Sequence, residues 1–361
     1  MARTLTLNPS SPVSSLHLTH HPTPTLPDKP GLVLVKFLAS PINRVDLLVL
    51  SGAYPTKPHY THDSQAIPGF DGCGIVLSST TSGFQKDDLV IPNEIGLGTW
   101  RTHAVFPGTS LIRLPRGTPA VGGALIRSGA LVARLLLEEV TALRRGDWIV
   151  VSGGLSSVTY FLVQFASRRG INTLLVVRDR DPDAVRVIEE RLRRVLNHNE
   201  EENENWRIIT ESELETAVKA AAALPVGPVT MAIDSVFGTV GQGLARILSP
   251  GGKFVLLGML TGPAASIEIS TKELFYRQIS FLPFRSSEIL KRIGPARSQA
   301  LITEIAELFV DGSIKLPNVR LVPWGEKDND GWDGIQAAVE VAKSKEVGYQ
   351  KIVWLPNGLL K

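Results

Sequence analysis

Residues 147–170 read DWIVVSGGLSSVTYFLVQFASRRG. The apolar run 148–151 stops just before Gly153 and Gly154. Small residues follow at Ser156 and Ser157, and a helical pattern runs from about 158 to 169. A strand, a tight turn and a helix in that order open a βαβ unit of the dinucleotide-binding kind. The helix N-terminus of such a unit offers free backbone N–H groups to a pyrophosphate. The spacing departs from G-x-G-x-x-G, however. Thr159 stands where a last glycine would let helix and sheet approach.

About 25 residues beyond the Gly-Gly turn, the apolar strand 173–177 runs into Arg178-Asp179-Arg180. The end of the second strand of a βαβ unit meets the adenosine ribose. An acid there would bond a free 2′-OH, whereas the planar fork of arginine suits a 2′-phosphate. The cofactor implied is NADPH, against the alternative that both arginines face solvent.

Working outward toward the C-terminus, strand and helix signals go on alternating: 182–196, 211–223, 231–234, 240–248 and 253–257. Alternation of this kind means a parallel sheet with crossover helices. Residues 1–125 are instead short apolar runs broken by Gly and Pro, as in a small barrel-like domain. The expected class is α/β, with domains 1–125, 126–283 and 284–361. The last is read as finishing the nucleotide-binding sheet and returning to the first domain. The acidic, Asn-rich run 197–205 reads as an exposed insertion.

Composition narrows the function classes. The 361 residues are 43% hydrophobic and 20% charged, with a net charge of +3, which gives no argument for nucleic acid. One cysteine, Cys73, excludes an intrachain disulfide and a four-cysteine zinc site. No histidine has metal-ligand spacing, so no metal is expected. No apolar run approaches the roughly 20 residues of a membrane span. The first 20 residues already read as strands, which leaves little room for a removable presequence; a cytoplasmic location is expected, with mitochondrial as the second choice.

Asn43 to Asp46 is followed by Gly52-Ala53-Tyr54-Pro55. A loop tyrosine flanked by Gly and Pro can offer its hydroxyl to a developing enolate, although packing is the commoner role of such a residue.

At SPINRVD (40–46), SGAYPTKP (51–58), LGTWRTHAVF (97–106), VVRDR (176–180) and IITESEL (208–214), the chain resembles the zinc-free medium-chain dehydrogenase/reductase superfamily. Within it, the 2-enoyl thioester reductases of fungal and mitochondrial type are the most similar. The resemblance implies a GroES-like catalytic domain beside a Rossmann domain, with hydride transfer from NADPH to an α,β-unsaturated acyl thioester. It implies catalytic roles for Tyr54, Asn43 and Trp100. It implies cofactor contacts for Gly153, Gly154, Ser156, Ser157, Arg178, Arg180, Gly258 and Met259. It places Phe70, Arg101, Val132, Phe284 and Arg285 at the substrate pocket. It also implies a homodimer through strand 278–283, with Pro283 at the edge or end.

The departures from the family cluster. An Asn-Pro-x-Thr-Ala-Tyr helix start becomes Gly129-Ala130-Leu131-Val132-Ala133-Arg134, and Gly-Asn-Glu-Gly becomes Gly69-Phe70-Asp71-Gly72. Tyr-Gly-Gly-Met becomes Leu256-Leu257-Gly258-Met259, and Gly-Phe-Trp becomes Pro283-Phe284-Arg285. A lysine near the C-terminus becomes Tyr349, with Lys351 close by. The adenosine end is kept while the nicotinamide and acyl ends change, and one lost donor at such a site costs about 10²–10³ in rate. Three readings stand: a reductase with a specialised biosynthetic substrate, a non-redox cyclase or isomerase with a vestigial cofactor site, and a protein that binds NADPH without turnover.

Overall fold

The structure, a computed structural model, describes residues 1–7, 16–53, 58–196, 205–220, 224, 226–262, 264–324, 332–343 and 350–358. The chain divides into two compact units: Met1–Leu131 with Ala296–Lys361, and Val132–Pro295.

In the second unit the quoted stretch forms the strand Trp148–Ser152 and the helix Ser157–Arg168. The strand is buried on both faces, as a central parallel strand covered by helices must be. Among the described residues its sheet has six strands, all parallel. In spatial order they are Trp206–Thr210, Asn172–Val177, Trp148–Ser152, Val229–Asp234, Leu248–Leu256 and Ser280–Pro283. The chain works outward from Trp148–Ser152 in one direction, then returns to its other side, so the strand order reverses there. In open α/β sheets, ligands bind in the crevice at such a reversal. Val150, Leu174, Val176, Ala232, Leu244 and Phe254 share one buried cluster, each large member contributing roughly 1.5–3 kcal/mol.

Among the described residues the first unit holds two sheets. The larger has the order Val319–Pro323, Lys351–Leu355, Leu32–Pro41, Cys73–Ser79, Leu89–Pro92, Leu111–Arg113, and His103–Pro107 also pairs with Leu32–Pro41. The smaller joins Leu16–His21, Ala2–Leu7, Gln65–Ala66 and Thr61–His62. Both described strands after residue 284 thus join a sheet with the third strand of the chain, and not the nucleotide-binding sheet that the sequence reading had them finish. Trp100, Trp324 and Trp354 are buried at this junction, with Trp354 edge-on to each of the other two at 5.8 and 6.3 Å.

The unit boundaries fall at 131/132 and 295/296, where the sequence reading had 125/126 and 283/284. Residues 126–131 form a π-helical turn that stays with the first unit, since Arg127 donates to the Pro92 carbonyl at 2.9 Å. Residues 284–295 stay with the second, where the Phe284 N–H bonds the Leu256 carbonyl at 2.9 Å. Helix Ser286–Val310 breaks at Gly294, whose φ is 81°, beside Pro295. Residues 272–276 form a single π-turn, Lys272–Tyr276, that exposes Leu274, Phe275 and Tyr276. The edge strand is Ser280–Pro283, because Gln278 turns the chain with a φ of 53°. Most of the acidic run, 197–204, lies outside the described residues.

Candidate functional site

In the second unit the irregular glycine turn is internally satisfied. Gly153 has a φ of 63°, a region open to glycine at little cost. Gly154 packs so closely on the neighbouring strand that an added Cβ would lie 3.0 Å from the Val176 carbonyl oxygen. Ser156 caps the helix, accepting from the Thr159 N–H at 3.1 Å. Thr159 is buried, yet its hydroxyl donates to the Gly153 carbonyl at 3.1 Å and lies 2.9 Å from Ser156 Oγ. The threonine therefore binds the turn to the helix, where a glycine would only have made room. Ser157 is the first residue of that helix.

Past Val177, on which Gly154 also rests, come Arg178, Asp179 and Arg180. Asp179 is occupied: its carboxylate accepts from the Ser212 N–H at 2.9 Å and the Ser212 hydroxyl at 2.8 Å. Those bonds hold its carboxyl below the usual carboxylate range. Arg178 is exposed. Arg180 is half-buried, and its Nε is buried without a hydrogen-bond partner. Two arginines at the second strand end, one with a buried and unbonded Nε, and an intervening acid engaged by Ser212 fit a 2′-phosphate rather than a ribose 2′-OH. Glycines and a capped helix start beside it fit a pyrophosphate.

On the other side of the reversal, the Gly258 N–H bonds the Asp234 carbonyl at 3.1 Å, and Met259 is exposed. Asp234 itself is fully buried, and its Oδ1 accepts from the Ser152 hydroxyl at 2.6 Å. Phe284 is buried, while Arg285 is exposed and starts the next helix, its carbonyl accepting from Glu288 and Ile289. Val132 is buried at the start of helix Val132–Glu138.

In the first unit the residues expected at the reacting end meet unequally. Tyr54 lies outside the described residues. Asn43 is buried before helix Arg44–Leu50, and its Nδ2 donates to Asp71 Oδ2 at 2.8 Å. Its backbone N–H donates to Asp46 Oδ2 at 2.7 Å, and Asp46 Oδ1 accepts from the Phe70 N–H at 3.0 Å. Lys351 donates to the Asn43 side-chain oxygen and, at 2.9 Å, to the Ile42 carbonyl. Asp71 also accepts from the Ser128 side chain. Two carboxylates and an ammonium thus share one desolvated site. Burial pushes the Asp46 carboxyl up to about 7 and the Asp71 carboxyl up, and pushes the Lys351 ammonium down to about 8.

Trp100, expected as a catalytic residue, and Phe70, expected at the substrate pocket, are both buried. Trp100 is fully buried, with its Nε1–H on the Pro41 carbonyl at 3.3 Å. Phe70 is 3% exposed, and its backbone N–H serves the polar network. Arg101 is buried between the Tyr60 and Phe106 rings, 5.1 and 5.0 Å from their centres, and donates to the Leu97 carbonyl at 2.8 Å. Burial without a carboxylate lowers its guanidinium to about 10.

Asp46, Asp71, Lys351, Ser128 and the Ser152–Asp234 pair were not marked as site residues by the sequence. The Asn43-x-x-Asp46 spacing was their nearest signal, since it is the pattern of a capped helix start. The rest are brought together from distant parts of the chain.

Comparison with known proteins agrees with this architecture. Residues 29–116 match the alcohol dehydrogenase GroES-like domain. Over 294 residues the chain is 30% identical to the mitochondrial enoyl-[acyl-carrier-protein] reductase of Xenopus tropicalis, covering 81% of this chain and 78% of that protein. Over 300 residues it is 30% identical to the mitochondrial enoyl-[acyl-carrier-protein] reductase of Caenorhabditis elegans, covering 81% and 80%. The mitochondrial 2-enoyl thioester reductase Etr1p/Etr2p heterodimer of Candida tropicalis superimposes with a TM-score of 0.80 at 23% identity, over 98% of this chain and 99% of that one. An Etr1p complex with NADP and crotonyl-CoA superimposes with a TM-score of 0.79 at 24% identity, again over 98% and 99%. With the fold, the glycine turn and these relatives in agreement, the chain belongs to the zinc-free medium-chain dehydrogenase/reductase superfamily, in the family of the enoyl thioester reductases.

Proposed function

We propose that the chain is an NADPH-dependent reductase of a C=C bond conjugated to a carbonyl or thioester. The observation that carries this reading is the strand end at Arg178 and Arg180, where one guanidinium Nε is buried and unbonded while Asp179 is held away by Ser212. The Gly153 turn and the N-terminus of helix Ser157–Arg168 receive the pyrophosphate. NADPH, when bound, supplies a hydride to the β-carbon. Tyr54 supports protonation at the α-carbon, and Asn43 is fixed nearby in sequence by Asp71 and Lys351. The relatives' names favour an acyl thioester substrate. The changed positions Gly129, Val132, Phe284 and Arg285 favour a specialised biosynthetic one. They also favour a second reading, a non-redox cyclase or isomerase that keeps the cofactor as structure.

Calorimetric titration with NADPH tests the proposal. Binding in the micromolar range is expected, and no binding up to millimolar cofactor removes it. Enoyl thioesters followed by NADPH absorbance then separate the two readings: turnover supports reduction, and binding without oxidation of the cofactor supports the second.

The strand Ser280–Pro283 is an edge with Pro283 at its end, so its free side suits pairing with a second copy. A homodimer by light scattering is the expected result. The relatives' mitochondrial names favour that compartment over the cytoplasm, and imaging of the tagged full chain decides between them.

A further inference from the structure

We infer that Asp234 and Ser152 form a positioning pair that sets the nicotinamide side of the cofactor crevice. This inference rests on the NADPH reading above and adds to it residues that do not touch the cofactor's phosphates.

Asp234 ends the strand Val229–Asp234 and Ser152 ends the strand Trp148–Ser152, neighbours at the point where the strand order reverses. Asp234 Oδ1 gathers three donors: the Ser152 hydroxyl at 2.6 Å, the Val236 N–H at 2.9 Å and the Phe237 N–H at 3.1 Å. Ser152 Oγ in turn accepts from the Ser235 N–H at 2.8 Å. The two strand ends are thereby tied side chain to backbone, and Phe237 is held at a φ of 68°, a costly value for a residue with a Cβ. Strain of this kind persists only where its surroundings enforce it, and here a buried carboxylate does so.

The tied turn supports the next loop. The Asp234 carbonyl accepts from the Leu257 and Gly258 N–H groups at 2.8 and 3.1 Å. The Ser235 carbonyl accepts from Leu260 at 3.0 Å, and the Val236 carbonyl from the Thr261 N–H at 3.0 Å and hydroxyl at 2.8 Å. Ser235 Cβ lies 3.5 Å from where a Cβ on Gly153 would be. One carboxylate therefore fixes both the glycine turn's neighbour and the loop 257–262. Asp234 Oδ2 is buried with no partner, and at Gly241 an added Cβ would lie 2.3 Å from it. That oxygen faces a helix and not the crevice, so the pair acts through the backbone it holds.

A dinucleotide straddles the reversal, one nucleoside on each side. The adenosine half meets Arg178 and Arg180, so the loop held by Asp234 meets the other half. Loosening the pair should weaken NADPH and leave the adenosine fragment alone.

The test measures NADPH and 2′,5′-ADP affinity by calorimetry on the full chain and on Ser152→Ala, Asp234→Ala and Asp234→Asn, with circular dichroism to confirm folding. Ser152→Ala is expected to weaken NADPH about tenfold, the scale of one lost hydrogen bond to a charged group, with 2′,5′-ADP unchanged. Asp234→Asn, which keeps an acceptor at Oδ1, should stay within about threefold of the parent, while Asp234→Ala does not. Ser152→Ala binding NADPH like the parent overturns the inference, as does an equal loss of 2′,5′-ADP, which would mark a general scaffold defect. Should Asp234→Ala fail to fold, Ser152→Ala and Asp234→Asn decide alone. A parent chain that binds neither ligand overturns the NADPH reading itself, and this inference with it.

Discussion

The Lys351 ammonium donates to the side-chain oxygen of Asn43, 308 residues earlier in the chain. The contact binds the last strand of the first unit to the start of helix Arg44–Leu50, beside two buried carboxylates. Removing the positive charge leaves Asp46 and Asp71 desolvated against each other. Lys351→Met is therefore expected to lower unfolding stability by about 3 kcal/mol, the scale for one partner taken from a buried charge cluster. Urea unfolding checks this. Adding Asp71→Asn should restore part of the loss, and a neutral Lys351→Met would show that water already screens the cluster.

Gly154 gives the glycine turn its close approach to the neighbouring strand. A methyl there would meet the Val176 carbonyl at 3.0 Å and Val177 Cγ1 at 3.1 Å. Gly154→Ala should cost about 1–3 kcal/mol by overpacking and weaken NADPH, read by thermal unfolding and titration. Full retention of both would mean that the strand end yields freely.

Arg178→Ala should weaken NADPH far more than NADH, because only NADPH carries the 2′-phosphate. Equal losses for the two cofactors would take the 2′-phosphate role from this strand end. Competition titrations with both nucleotides give the ratio directly.

His103 carries the clearest pH dependence. Burial, with Lys36 nearby, lowers its imidazole from 6.5 to about 4. The unfolded chain then binds this proton more tightly than the folded one, so the contribution is full above pH 6.5 and is lost as pH falls through about 4. Melting temperatures from pH 7 to pH 4 should fall less steeply in His103→Gln than in the parent. Parallel curves would mean that His103 keeps its ordinary value.

Cys73 is buried, and its thiol is pushed up to about 12. Only a thiolate attacks electrophiles, so iodoacetamide at pH 8 should leave the native chain unmodified and label it once unfolded. Mass spectrometry of the intact chain reads the difference. Rapid labelling of the folded protein would place Cys73 in an opening segment.

How much of this was legible beforehand differs between the two ends of the site. Local pattern was enough for the Trp148–Ser152 strand, its glycine turn and the helix after it, because strand burial and helix capping act over a few residues. The arginine strand end followed from the same local spacing. Thr159 read as a defect, since a sequence shows the missing glycine but not the hydroxyl's bond to Gly153. Trp100 and Phe70 read as site residues through their motifs, while their burial is visible only in the folded chain.

The sequence by itself determined the class of the fold and the strand, glycine turn and helix at its centre, because each rests on short-range periodicity and turn chemistry. Only the tertiary structure decided which polar groups share a site. Asn43, Asp71 and Lys351 lie on separate elements, and Ser152 meets Asp234 only across paired strands 82 residues apart. Their bonds exist because burial strips these groups of water and leaves each other as partners. That pairing depends on strand register and packing, which no local stretch of sequence encodes.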